Sequence, residues 1–284
     1  MLFVPWIAIF PAALALWWPA GRRWSLGLLA LGYGAALMSG QIDAWALLPI
    51  TALLAAAYAV SPQRPRYLHG FGHAVFLGLA IALSLHWLPG FHNPRVIGPE
   101  RFTADALPFT MYLNLDKPLV GFWLLLVLPW IRRPQAGWKS LRAGLGALVM
   151  ILPICGLTAV LLGLVKWAPK WPPTSGLWLL NNLLLVTLVE EALFRGYLQG
   201  GLRRWLRAQP YAEEIALGVA AILFGLAHVA GGWPWMGLAT LAGLGYGLAY
   251  RVGGLPAAVL AHAGLNVAHF FLLTYPMLAP LRPA

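Results

Sequence analysis

Between Val186 and Gly201 the chain reads VTLVEEALFRGYLQGG, an apolar stretch broken by two adjacent carboxylates and a guanidinium. Helical geometry sorts these charges. Glu191 and Arg195 are four residues apart and meet on one helix face, where they form an orienting ion pair. Glu190 is turned about 100° from that face by the 3.6-residue turn and is read as the reacting carboxylate. The next apolar stretch, AAILFGLAHVAGG, carries His228 four residues after Phe224, so ring and imidazole share a face. A later one, LPAAVLAHAGLNVAHFF, carries His262 and Asn266 at the same spacing, with His269 seven residues after His262 on nearly the same stripe. A carboxylate partnered by histidine activates water as a general base. A second histidine and an amide donate hydrogen bonds to a developing oxyanion. Hydrolysis by an activated water is the expected chemistry. Each constellation also has an architectural alternative: a buried ion pair, a packing histidine and an interhelical polar clasp.

Other hydrolytic signatures do not compete. The sequence has no GxSxG and no HExxH, which argues against a nucleophile elbow and a thermolysin-like zinc helix. Its one cysteine, Cys155, lies in an apolar run with no histidine nearby in sequence.

The elements that position these residues follow from composition. The 284 residues are 61% hydrophobic and 10% charged, with a mean hydropathy of +0.75. That charged share is less than half the ~25% usual in soluble domains, so the chain is expected to be integral to a membrane. The formal net charge is +11. The cations sit in short clusters between apolar runs, as topology determinants do, and nucleic acid is not an expected partner. Ten runs approach the ~20 residues of a span: Leu2–Trp18, Ser25–Met38, Ala44–Val60, Gly70–Leu88, Leu119–Ile131, Leu145–Trp167, Leu177–Gly200, Ile215–Val229, Met236–Tyr250 and Leu255–Leu273. The expected fold is an all-α polytopic transmembrane bundle of about 8–10 spans around an intramembrane polar cavity. Arg22, Arg23, Arg64, Arg66, Arg132, Arg133, Lys139, Arg142, Arg203, Arg204, Arg207 and Arg251 weight the loops read as cytoplasmic, against Arg95, Arg101, Lys117, Lys166, Lys170 and Arg282 on the other side. This bias sets both termini outside. The long loop Pro89–Pro118 is read as a solvated connector, with a lid as the alternative. Residues 1–170 form N-terminal spans of unassigned role, and residues 171–284 hold the charged helices. His73 and His86 are read as ionisable groups within the earlier spans.

Depth supports an interior site. Glu190 lies thirteen residues before Arg203, about 20 Å of continuous helix. An ionisable group at a span's centre costs roughly 2.5–3.5 kcal/mol on insertion scales, so these groups must face inward and pair.

Glu190-Glu191-Ala-Leu-Phe-Arg195, Phe224 to His228 and His262 to Asn266 supply EExxxR, FxxxH and HxxxN in that order. In this the chain resembles the CPBP family of CAAX proteases and bacteriocin-processing proteins, over about a hundred residues of its C-terminal half. The resemblance implies an intramembrane endopeptidase of glutamate or metallo type, acting on a membrane-anchored or lipidated protein or peptide. It implies Glu190, helped by His228, as activator of water, His262 and Asn266 as oxyanion donors, and Glu191, Arg195 and Phe224 as supports. No cofactor is expected; the alternative is a divalent ion such as zinc held by Glu190, His228 and His262. The expected location is the bacterial inner membrane. The competing functions are a non-catalytic membrane scaffold or bacteriocin self-immunity factor, and an ion-coupled transporter.

Overall fold

A computed structural model describes residues 2–18, 20–131 and 137–279. Arg132, Arg133 and Arg282, used in the topology reading, lie outside the described residues. Each of the ten apolar runs is helical for most of its length. The helices are α1 (Trp6–Ala15), α2 (Gly21–Met38), α3 (Leu47–Ala59), α4 (Arg66–Ser84), α5 (Lys117–Val127), α6 (Gly137–Leu161), α7 (Ser175–Trp205), α8 (Ala212–Leu226) and α9 (Trp233–Leu272). Four of them, α4, α6, α7 and α9, are long and apolar enough to cross a membrane; α1, α3 with its leading turn, and α5 are shorter apolar helices. The fold class is a helical membrane bundle.

The ninth and tenth runs form one continuous element. α9 is bent at Gly254, whose backbone (φ 71°, ψ −168°) leaves the helical region, and Pro256 follows. A left-handed backbone is open to glycine at little cost, and proline cannot donate the hydrogen bond that would carry the first half onward. α9 therefore works as two helices, 233–253 and 255–272.

The chain divides into two compact units. The first holds Met1–Arg95, Tyr112–Pro129 and Leu184–Val189. In it α1 packs on α2, α3 on α4 and α4 on α5. Phe76 and Trp123 stack at 4.0 Å, and the Trp123 indole donates to the Leu53 carbonyl at 2.8 Å. His86 is not within a span. It follows the end of α4 with φ 57°, and its Nδ1 lies 2.6 Å from the Asp116 carboxylate at the start of α5. The first unit thus closes one loop end with a polar contact.

The second unit holds Val96–Met111, Trp130–Leu183 and Glu190–Ala284. Its helices bury small residues and expose large ones. α6 turns Ser140, Gly144, Ala147, Ile151, Cys155 and Ala159 inward, while Val149, Met150, Ile154, Leu157 and Leu161 are exposed. Lipid is as apolar as leucine, so packing in a bilayer favours small side chains that let backbones approach. α6 lies along α9 by this means, and the Ser140 hydroxyl donates to the Gly253 carbonyl at 2.6 Å, next to the bend. The Pro89–Pro118 loop carries a two-stranded sheet, β1 (Arg95–Glu100) with β2 (Phe109–Tyr112). In the second unit Asp105 of this loop pairs with Lys166, and an aromatic group of Phe102, Phe109, Trp178, Phe270 and Tyr275 packs beneath it. The loop thus carries its own strand pair, ion pair and aromatic contacts.

Candidate active site

The site residues Glu190, Glu191, Arg195, His228, His262 and Asn266 all belong to the second unit. α7 is continuous through Gly196, Gly200 and Gly201. Two stretches of α7, Asn182–Thr187 and Ala192–Gln199, are wound as wider π-helix around a short α-helical segment, Leu188–Glu191. Such turns are rare and gather at functional sites. The glutamates sit on the ordinary turn between them.

Glu191 and Arg195 are both fully buried and face each other, with Glu191 Oε2 3.4 Å from Arg195 Nε. The expected ion pair is present. The other oxygen, Glu191 Oε1, lies 2.8 Å from His262 Nδ1 on α9. This is the carboxylate–imidazole contact of the site, and sequence spacing did not point to it. Arg195 Nη2 donates to the Gly243 carbonyl at 3.0 Å, and one turn on, Gln199 Nε2 donates to the Gly247 carbonyl at 3.1 Å. The two glycines are four residues apart on α9. A Cβ at Gly243 would come within 3.3 Å of the guanidinium and of the Phe224 ring. The GxxxG stripe therefore admits polar side chains of α7 to the backbone of α9.

Aromatic rings enclose the charges. The Arg195 guanidinium lies 4.7 Å from the centre of the Phe224 ring and 5.5 Å from that of Tyr246, distances at which a ring quadrupole attracts a cation. Tyr246 stacks on the His262 imidazole at 4.5 Å with a 12° interplanar angle, and Phe224 meets the same imidazole edge to face at 5.5 Å. Glu190 is half-buried and within electrostatic reach of Arg195 and Tyr246.

His228 lies just beyond the end of α8 rather than within it. Its Nδ1 is 2.8 Å from the Phe224 carbonyl, and the two rings are 4.6 Å apart. A carbonyl only accepts, so Nδ1 carries a proton, and in the neutral tautomer this leaves Nε2 as the acceptor. Asn266 Nδ2 reaches Asn182 Oδ1 on α7 at 3.4 Å, a long contact. A cavity of about 120 Å³ opens among these groups. His228, His262, Asn266, His269 and Tyr246 line it, with Phe224, Cys155, Trp235 and small or aliphatic side chains. Glu190, Glu191 and Arg195 are not in its lining.

The structure thus brings Glu191, Arg195, His262 and Phe224 into one network, and His228, His262 and Asn266 onto one cavity. Sequence reading missed Tyr246, Asn182 and Gly243 as partners. Only Gly243 left a signal, through its spacing to Gly247. Among the described residues no group of three or more His, Cys, Asp or Glu side chains is placed to hold a metal ion. At the far end of α8, Glu213 lies between Arg203 (2.9 Å) and Arg251 (2.5 Å), and Glu214 pairs with Arg251 at 3.0 Å. The site is separated from this polar surface by the length of α8, about 20 Å.

A helical membrane bundle with a buried carboxylate, guanidinium and imidazole beside an apolar-walled cavity defines a membrane protein with polar chemistry in its interior. Residues 172–268 match the family model of Type II CAAX prenyl endopeptidase Rce1-like proteins. No curated protein matches the chain, and no solved structure does.

Proposed function

We propose that the chain is an intramembrane endopeptidase that hydrolyses a peptide bond near the C-terminal end of a membrane-anchored or lipidated protein or peptide, in the inner membrane of a bacterium. Glu190 and His228 activate the water. The acceptor Nε2 that the Phe224 carbonyl leaves on His228 suits this task. His262 and Asn266 receive the oxyanion. For His262 to donate from Nε2 while Nδ1 is held by Glu191, the ring must carry both protons, and the Glu191 carboxylate stabilises that imidazolium. The two imidazoles are thus set to opposite tasks by their partners, a carbonyl for one and a carboxylate for the other. This pairing, on the cavity that both rings line, is the observation that carries the reading. Among the described residues, Glu190, His228 and His262 are not placed as a group that could hold a divalent ion.

The test is a comparison of membrane-protein C-termini by mass spectrometry in cells with wild-type protein, Glu190→Gln or His262→Ala. A terminus shortened only by the wild type is expected. Equal shortening by the folded Glu190→Gln variant refutes the assignment. Termini identical in all strains, with a membrane partner still co-purifying, support the scaffold reading instead.

A further inference from the structure

Where α7 ends and α8 begins, the second unit has another cavity, of about 140 Å³. Trp130, Gln199, Arg203, Glu213, Tyr250 and Arg251 shape its wall, which reaches the bend of α9 at Gly254. One water needs only ~10–15 Å³ of such space, so the cavity admits a group several times larger. Glu213 fixes two arginines at its edge. Oε1 lies 2.9 Å from Arg203 Nη1 and Oε2 lies 2.5 Å from Arg251 Nε, while Arg251 Nη1 reaches Glu214 at 3.0 Å. A guanidinium carries donors on all of its nitrogens. These pairs leave Nη2 of both arginines without a bond among the described residues, on side chains that are 50% and 40% exposed. The open donors are therefore accessible, and a shared carboxylate holds them in place. Beside them the Arg204 guanidinium lies over the Trp130 ring, 3.1 Å from its centre.

Charge and aromatic rings put this end of the unit at a membrane surface. The start of α6 belongs here, because Ser140 bonds the Gly253 carbonyl. Lys139, Arg142, Arg203, Arg204, Arg207 and Arg251 thus gather against Glu213 and Glu214, six cations to two carboxylates among the described residues. Trp138 and Trp205 are 68% and 80% exposed, as aromatic anchors at headgroup level are. Orientation by positive charge explains the number of cations. It does not explain two arginines clamped by one carboxylate over a cavity.

We propose that this cavity binds the phosphate of an anionic lipid headgroup between Arg203 and Arg251. The planar fork of arginine matches phosphate oxygens, and basic pockets between membrane helices take such headgroups. A lipid, rather than free phosphate, follows from the wall: Trp130, Ile131 and Leu255 line it beside the arginines, which suits the boundary between acyl chains and headgroups. The headgroup ties the end of α7 to the bend of α9. None of this depends on the hydrolase reading.

The test uses purified full-length protein in non-ionic micelles at ~0.15 M salt. It is titrated with phosphatidylglycerol, phosphatidylcholine or inorganic phosphate, and bound lipid is counted by native mass spectrometry. Phosphatidylglycerol should bind in preference to phosphatidylcholine. Arg203→Gln and Arg251→Gln should each raise its apparent Kd about tenfold, as for one lost charge-assisted hydrogen bond. Lys139→Gln and Arg207→Gln remove the same charge at the same end but outside the cavity wall, and should change it less than about twofold. Exposed ion pairs add little to stability, so the four variants should unfold at the wild-type midpoint when no lipid is present. Equal losses in all four variants show diffuse attraction and overturn the site. Equal binding of phosphatidylcholine, or binding of inorganic phosphate with no gain for the lipid, overturns it as well.

Discussion

Removing one member of the Glu191–Arg195 pair should have unequal consequences, depending on which member goes. Both side chains are fully buried. Breaking a buried ion pair costs about 3–5 kcal/mol, because the remaining charge has no compensation. Glu191→Gln strands a guanidinium that does not deprotonate in proteins, so the full cost of about 3–5 kcal/mol is expected. Arg195→Met leaves the Glu191 carboxylate 2.8 Å from His262 Nδ1. The His262 imidazolium of the proposed mechanism keeps the carboxylate in a neutral pair, and the variant escapes most of the charge penalty. It still loses the Gly243 hydrogen bond, about 1 kcal/mol, and the ring contacts of the guanidinium, about 1 kcal/mol more. A loss near 2 kcal/mol is expected for Arg195→Met, and about the same for the double variant Glu191→Gln/Arg195→Met, whose glutamine still accepts from His262. The double variant should therefore be more stable than Glu191→Gln alone. Reversible unfolding in mixed micelles gives all three values. Additivity within ~0.5 kcal/mol, or a Glu191→Gln variant as stable as wild type, would refute the argument that Glu191 holds a permanent buried cation.

Two other outcomes follow from the backbone and from the loop layer. Gly254→Ala places a side chain on a left-handed backbone (φ 71°) and should cost about 1–2 kcal/mol of unfolding free energy, measured against Gly237→Ala, where a Cβ meets nothing within 4 Å. Burial of Lys170 lowers its ammonium pKa to about 8. At pH 8 about half of its amine is neutral while an ordinary lysine, near 10.4, is almost wholly charged. Lys170 should label with an amine-reactive reagent at lower pH than Lys139 or Lys117, as read by peptide mass spectrometry. Equal labelling profiles for the three would show that Lys170 is as well solvated as the others.

Hydropathy located every helix because a span is defined by composition and length alone, and a run such as Leu145–Trp167 needs no partner to declare itself. The bend that makes two helices of α9 was equally visible, in the Gly-Gly-Leu-Pro of residues 253–256. Spacing was sufficient for Glu191 and Arg195, since both lie within one turn of one helix. It failed for Glu191 and His262, which are 71 residues apart in sequence and are joined by how α7 packs on α9. The wide turns of Asn182–Thr187 and Ala192–Gln199 were also invisible. Nothing in the residue types distinguishes an i→i+5 from an i→i+4 hydrogen bond, and the choice is made by the packing of the whole helix. His86 was assigned to a span because its neighbours are apolar. The chain leaves the helix two residues earlier, where Asp116 offers the imidazole a partner in the loop layer.

The network also bears on why the motif needs two adjacent carboxylates. Glu191 is engaged on both sides, Oε1 by His262 and Oε2 facing Arg195, and no part of it is exposed. A carboxylate so placed lowers the energy of two neighbouring cations but has no surface from which to take a proton from water. Glu190, next in sequence and half-buried, is turned toward a different side of α7 by the helical twist. If a single glutamate served both purposes, each proton it accepted would weaken its hold on Arg195 and His262 and loosen the site during turnover. Dividing the work between neighbours keeps the buried charge balance constant while the reacting carboxylate cycles. On the proposed mechanism this is why Glu190→Gln should stop hydrolysis with α7 and α9 still packed, whereas Glu191→Gln should weaken the packing itself.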